Sequence, residues 1–274
     1  MNSVLGLVAS ARYALIQMKH RFRLFHRVSI LACVVALVVG IASAQDKAAA
    51  PAAAPAPANN APPHPGLTEY LGRNVAQTMH YTGAAWLIRT KRDREEAATL
   101  MRAKLELKPG MMVCDLGCGN GYHTFPMAKE VAPAGKVYGV EIQEPYLKML
   151  EEAAKKQEVS NFVPVLGLLH DPKLPDNTFD LILLVDVYHE FSHPVEMLAA
   201  MRKSLKPDGK LVLVEFRGED ESVPIKPEHK MSKAQINKEL GANGFTCVKE
   251  FDELPWQHMM WFGKTADAGA ASAK

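Results

Sequence analysis

Short apolar runs and longer amphipathic stretches succeed one another through the middle and end of the chain. Met111–Leu116 is short and apolar, follows the turn Lys108-Pro109-Gly110, and reads as a buried strand. Tyr122–Val131 reads as a helix, Lys136–Glu141 as a second strand, Glu144–Gln157 as a charged amphipathic helix and Phe162–Leu166 as a third strand. Phe179–Asp186 is almost continuously apolar, the pattern of a strand covered on both faces. A helix is predicted from about Pro194 to Leu205, and the turn Pro207-Asp208-Gly209 leads into a strand over Leu211–Phe216. This alternation predicts a doubly wound α/β fold, with helices on both faces of a mostly parallel sheet.

The pattern changes at both ends of that region. Ser232 is placed to cap a helix running to about Leu240 and stopped by Gly241 or Gly244. Thr246–Phe251 and His258–Gly263, with a short connection, predict an antiparallel hairpin that closes one edge of a seven-stranded sheet. Upstream, Leu67–Met79 and Arg92–Leu105 predict two helices of an N-terminal lid. No internal repeat is present.

Composition divides the chain further. Lys19, Arg21, Arg23 and Arg27 precede the apolar run Val28–Ile41, and Ala42-Ser43-Ala44 follows it. Basic residues, an apolar stretch and small residues in that order are the layout of a secretory signal peptide over residues 1–44. The run of 14 residues is short of the roughly 20 needed to span a bilayer. An uncleaved anchor is the alternative, and Met18 is an alternative start. Either reading expects the rest of the chain outside the cytoplasm, periplasmic or secreted, or held at the inner membrane by this segment alone. Residues 45–65 are rich in Ala and Pro and predict a disordered linker. Residues 66–264 are enough for one domain, and residues 265–274 read as a loose tail. Removing the five basic residues of positions 1–44 from the total of 32 leaves 27 against 30 acidic residues, which gives no basic footprint for nucleic acid. Cys33 falls in the apolar run, so Cys114, Cys118 and Cys247 remain, too few for a disulfide framework. No His/Cys set has zinc-ligand spacing, and no metal is expected.

The chemistry concentrates after the first predicted strand, in Asp115-Leu116-Gly117-Cys118-Gly119-Asn120-Gly121. Glycines at the carboxyl end of a strand let the backbone turn sharply and approach a ligand closely. The spacing is G-x-G-x-G, not the G-x-G-x-x-G of a dinucleotide fingerprint. Asp115, two residues before the first glycine, suits a cationic ligand better than a pyrophosphate. With these residues the sequence resembles the class I S-adenosylmethionine-dependent methyltransferases, whose first motif Asp115, Gly117, Gly119 and Gly121 match in full. Glu141, in Val140-Glu141-Ile142, stands where the family has its ribose-binding acid. The lead-in Leu174–Asp180 and Leu205–Lys210 also fit, and the resemblance covers about residues 105–263. It implies S-adenosyl-L-methionine as cofactor, held by Asp115, Gly117, Cys118, Gly119, Gly121, Glu141, Ile142 and Asp186. The family's Asp after the third strand has no direct counterpart in Gly167-Leu168-Leu169-His170-Asp171, and Asp171 is expected to substitute from a shifted position.

A methyl acceptor belongs after the fourth strand, where Asp186-Val187-Tyr188-His189-Glu190-Phe191-Ser192-His193-Pro194 is densely polar. His189 is expected as general base or acceptor-orienting residue, with Glu190 holding its other nitrogen or contacting substrate; capping of the next helix is the structural alternative. His193 reads as a helix-start residue. An Asn-Pro-Pro-Tyr sequence, typical of methylation at nucleobase or glutamine nitrogens, is absent, which favours an oxygen, carbon or sulfur acceptor on a small molecule. His123, Tyr81 and Arg89 are weaker ligand candidates, Trp86 reads as packing, His229-Lys230-Met231 as a pocket border, and Pro255–Trp261 as core. A protein that binds S-adenosylmethionine or its demethylated product without turnover is the second functional reading. A nicotinamide oxidoreductase is a third, disfavoured by the glycine spacing.

Overall fold

The computed structural model describes residues 62–265; the apolar N-terminal run, most of the Ala/Pro-rich linker and all but the first residue of the expected C-terminal tail lie outside them. Five strands are parallel: β1 (Met112–Leu116), β2 (Lys136–Glu141), β3 (Phe162–Leu166), β4 (Phe179–Val185) and β5 (Leu205–Arg217). β6 (Phe245–Phe251) and β7 (Gln257–Lys264) form the closing hairpin, with β7 antiparallel to β5. Among the described residues the order across the sheet is β3-β2-β1-β4-β5-β7-β6, and the short strand Lys230–Met231 adds to β5. The order reverses at β1 and β4, so their carboxyl ends diverge and leave a crevice.

Alternation along the central strands builds two cores. Ile182 and Leu184 of β4, with Leu211 and Leu213 of β5, face α3 (Pro194–Ser204) and α4 (Lys233–Ala242) through Leu198, Met201, Ile236 and Leu240. Leu181 and Leu183, with Val212 and Val214, face the other way, onto Met101 and onto α1 (Thr124–Val131) through Met127 and Val131. Each such side chain contributes about 1.5–3 kcal/mol when removed from water. α2 (Glu144–Lys156) buries Tyr146, Leu150 and Ala154, spaced four apart on one face. Its acid Glu144 in the first turn and Lys155 and Lys156 in the last complement the helix dipole. Ser232 caps α4 as expected, its hydroxyl accepting from the Gln235 N–H at 3.1 Å.

Three expectations need correction. Leu67–Met79 is not a helix: Glu69–Tyr70 pairs with Arg73–Asn74 across a two-residue turn. Leu71 and Gly72 have φ of 49° and 89°, as a tight hairpin turn of this kind demands. Tertiary contacts replace the helical ones in this segment. The Arg73 guanidinium is buried against Glu239 (2.8 and 3.0 Å) and donates to the His189 carbonyl (2.7 Å), and the Ala76 N–H donates to the same carbonyl (3.0 Å). Arg92–Leu105 breaks into Arg92–Glu96 and Ala98–Lys104, because Ala97 adopts a left-handed conformation at φ 48°. The turn Pro207-Asp208-Gly209 lies inside β5 as a bulge, where pairing with β4 jumps from Leu205 to Lys210. Among the described residues no helix is long and apolar enough to cross a membrane.

Candidate active site

The carboxyl ends of β1, β2, β4 and β5 open into one cavity of about 770 Å³, inside the range of roughly 300–1,000 Å³ usual for small-molecule sites. Gly117 and Gly119 after β1 form part of its wall. Their φ values are +73° and +53°, and a Cβ on Gly117 would stand 2.5 Å from Val187 Cγ2, one on Gly119 2.5 Å from Leu87 Cδ1. The loop after β4 and the N-terminal lid therefore close on the glycine turn as tightly as a missing side chain allows.

Glu141 ends β2 with its carboxylate fixed by backbone: Oε1 accepts from the N–H groups of Ile142 (2.7 Å) and Gln143 (3.1 Å), and Oε2 from Gly119 (3.3 Å). Burial raises its pKa, and these donors hold the rise back. Ile142 and Gln143 line the cavity beside it. The Gln143 side chain clamps the lid, donating to the Met79 carbonyl (2.9 Å) and accepting from the Tyr81 N–H (2.8 Å). Tyr146 also lines the cavity, and its buried hydroxyl has no hydrogen-bond partner. Burial, then the charges of Glu141 and Glu190, push that hydroxyl up to about 12. It is a donor left for a ligand.

After β4 the chain turns through Asp186 at φ 54° into a short 3-10 helix, Tyr188–Glu190. His189 Nδ1 lies 2.6 Å from Glu215 Oε2, and both side chains are buried. A carboxylate oxygen accepts, so the proton is assigned to Nδ1 and the lone pair to Nε2. Burial opposes a charge on His189, but Glu215 outweighs it and the pKa rises. Glu215 is thus the group that holds the other nitrogen of His189; Glu190 is not. Glu190 lines the cavity, accepts from the Met79 N–H at 3.2 Å, and is pushed by burial to about 7. His189 Nε2 faces His229 Nδ1 at 3.0 Å. Neither His189 nor Glu190 caps α3, whose N-cap is His193. Asp186 lines the cavity and accepts from the Gln257 amide on both oxygens (2.9 and 2.8 Å). Enclosure, then the charges of Glu96 and Glu215, raise its pKa well above the carboxylate range.

Gly117, Gly119, Glu141, Ile142, Asp186, His189 and Glu190 therefore share one cavity. Four other expected residues stand off its wall. Cys118 packs its buried side chain with Phe125, Leu150 and Ala154. Gly121 turns at φ +84° against Phe125 and Leu150. Asp171 gives its carboxylate to the N–H and the ammonium of Lys173, both at 2.8 Å, while Leu168 and Leu169 line the cavity in the place where an acid was expected. Asp115 is buried beneath the glycine loop and accepts from the Thr124 hydroxyl at 2.5 Å. In the lid, Trp86 and Arg92 line the cavity, Arg89 stacks on Trp86 with its charge paired to Glu95 and Glu96, and Tyr81 stands off the wall, its N–H bonded to Gln143 and its ring tilted against His80. His123 is buried, off the cavity, with both ring nitrogens unpartnered. Met259–Trp261 are core, as expected; of the stretch expected at the pocket border His229 lines the cavity, whereas Met231 is buried in the core. Glu215 and Tyr146 carried no local sequence signal, one lying inside an apolar strand and the other on a regular helix.

The buried Asp115 predicts a pH effect. Burial raises its pKa from 3.8 to about 6. The folded state then holds a proton that the unfolded state has released, so stability falls as pH rises from about 4 to about 6. At 1.36 kcal/mol per unit this group's contribution falls by about 3 kcal/mol. Asp115→Asn keeps the acceptor for Thr124 and removes the titration. Urea unfolding without ligand should show the variant more stable than wild type at pH 7 and equal to it near pH 4. A variant no more stable at pH 7 would contradict the assignment.

A family model described as a methyltransferase domain matches residues 107–262. The ubiquinone/menaquinone biosynthesis C-methyltransferase UbiE of Cupriavidus pinatubonensis is 32% identical over 170 residues, 62% of this chain and 60% of that protein. A demethylmenaquinone methyltransferase of Listeria welshimeri is 28% identical over 164 residues, 60% of this chain and 66% of its own length. The chain thus spans less than two thirds of these relatives. A methyltransferase from Aquifex aeolicus, described as S-adenosylmethionine-dependent, shares the fold with a TM-score of 0.64 at 23% identity, covering 68% of this chain and 98% of its own. The matched domain contains most of the strand-end cavity, and the chain belongs to the class I S-adenosylmethionine-dependent methyltransferases.

Proposed function

We propose that this chain transfers a methyl group from S-adenosylmethionine to a small, largely apolar acceptor bound beside the donor in the same cavity. The observation that carries this reading is that Glu141 and His189 line one cavity. The first belongs to the donor and the second to the acceptor. Glu141, with three of its roughly four lone-pair sites taken by backbone N–H groups, keeps one on Oε2 for a donor hydroxyl. Burial holds back the ionisation of Asp186 in the cavity wall; a sulfonium beside it favours the charged carboxylate, and the neutral thioether left after transfer loses that attraction. Leu168, Leu169, Phe191, Met197, Phe216 and Ile225 make much of the remaining wall apolar, as an apolar acceptor requires. The names of the two relatives, a ubiquinone/menaquinone biosynthesis C-methyltransferase and a demethylmenaquinone methyltransferase, support a small-molecule acceptor.

Transfer from a sulfonium is an in-line displacement, in which the acceptor attacks the methyl carbon and the departing pair stays on sulfur. The protein's main contribution is proximity, worth at most about 7–11 kcal/mol. His189 Nε2, its lone pair set by the Nδ1–Glu215 bond, orients an acceptor or takes its proton. His189→Ala should lower kcat roughly 10²- to 10⁴-fold while leaving donor affinity within about twofold, followed as S-adenosylhomocysteine release and by calorimetry. Unchanged turnover at saturating acceptor would remove His189 from the chemistry. Donor binding with no turnover on any acceptor would instead favour a protein that keeps the pocket without transfer.

We also propose that the domain is exported or tethered at the membrane by its N-terminal segment. The support is the order of basic residues, apolar run and Ala42-Ser43-Ala44. Cell fractionation with mass spectrometry of the mature N-terminus should recover the protein outside the cytoplasm; a soluble cytoplasmic chain would reject export.

A further inference from the structure

We propose that His189, Glu190 and His229 form a site for one divalent transition-metal ion of the zinc type, set in the wall of the methyl-transfer cavity. Zinc-like spacing is missing from the sequence because the ligands come from two elements forty residues apart. His189 and Glu190 sit on the 3-10 helix after β4, and His229 on the 3-10 helix Pro227–His229 after β5. One ligand atom from each lies within 4.8 Å of the other two, and all three residues line the cavity.

Four observations favour an ion over a bare hydrogen bond between rings. The 3.0 Å between His189 Nε2 and His229 Nδ1 is close to the roughly 3.3 Å separating two nitrogens on one tetrahedral zinc. Glu215 accepts from His189 Nδ1 at 2.6 Å and is itself fully buried. A carboxylate behind a ligating histidine is the arrangement that fixes the ring and aims its lone pair at a metal. Glu190 is pinned in turn by the Met79 N–H on Oε1, which leaves Oε2 for coordination. The donor set, two imidazoles and one carboxylate, suits zinc or iron(II) far better than magnesium or calcium. Three protein ligands leave at least one coordination position open, and here it opens onto the cavity, as in catalytic rather than structural sites.

The inference rests on this cavity being the methyl-transfer site, and it adds a class of acceptor: a hydroxyl or thiol that binds the ion as its anion. The X–H bond then breaks with the proton leaving to solvent. The X lone pair forms the bond to the methyl carbon as the carbon–sulfur bond breaks, and the electron pair of that bond remains on sulfur. The ion keeps its charge throughout. In that state His189 acts as a ligand and the ion, rather than the ring, lowers the acceptor's pKa.

The test uses the full chain, dialysed against chelator and titrated with Co²⁺ and Zn²⁺ in the absence of donor and acceptor. One equivalent of Co²⁺ should give the strong visible absorption of low-coordinate cobalt, and Zn²⁺ should bind stoichiometrically and displace it. His229→Ala, on the partly exposed 3-10 helix, and Glu190→Gln should each abolish the stoichiometric signal while keeping the wild-type circular dichroism. Glu215→Gln, which acts through His189, should weaken Zn²⁺ roughly 10- to 100-fold. Absence of stoichiometric binding to wild type would overturn the proposal. So would binding of equal strength in the His229 and Glu190 variants. Because the readout is metal binding, an enzyme inactive on every acceptor would count against the proposed function and leave this test standing.

Discussion

Buried negative charge at the strand ends is the constraint on which the rest of this structure depends. A carboxylate removed from water costs several kcal/mol unless donors or cations compensate, and this fold gathers Asp115, Glu141, Asp186, Glu190 and Glu215 around one crevice. Each has a different remedy. Thr124 serves Asp115, three backbone N–H groups serve Glu141, the Gln257 amide serves Asp186, the Met79 N–H serves Glu190, and the Tyr188 N–H and His189 serve Glu215. The compensation is partial, since Asp115, Glu141, Asp186 and Glu190 all keep raised pKa values. A site held in that condition favours the arrival of positive charge, and a sulfonium donor supplies it.

The sheet supplies the rigidity that makes this arrangement durable. β4 and β5 are packed on both faces, and the reversal of strand order between β1 and β4 opens the crevice at their carboxyl ends. The first part of the lid, residues 67–81, is tied down chiefly by polar contacts. Arg73 pairs with Glu239 and the His189 carbonyl, and Gln143 holds both Met79 and Tyr81. The same lid segment that closes the cavity is therefore bonded to the acceptor-side residues His189 and Glu190.

Much of this was legible in the sequence because it is local. β2 and β3 show their full extent in short, largely apolar runs, the glycine spacing sits in one turn, and Ser232 stands beside the helix it caps. The misreadings share the opposite character. Leu67–Met79 reads as a helix until Arg73 is seen to be committed to Glu239, 166 residues away. Asp171 looks available until Lys173 takes both its oxygens. Glu215 lies near the carboxyl end of an apolar strand, and His229 lies forty residues from the histidine it faces; no short window of sequence contains both partners. The acid Glu190 was expected to support His189 because it is its neighbour, but the His189 Nδ1 bond goes to Glu215, on the strand beside β4.

The central claim is that the cavity is a donor site anchored on Glu141, and one measurement tests it most directly. Calorimetric titration of S-adenosylmethionine into wild type and Glu141→Ala, with circular dichroism to show that both are folded, isolates the contribution of that carboxylate. Hydrogen bonds to a charged group are worth about 1.5–3 kcal/mol, so the account predicts that Kd rises roughly 10- to 100-fold in the variant. An affinity within about twofold of wild type would contradict it.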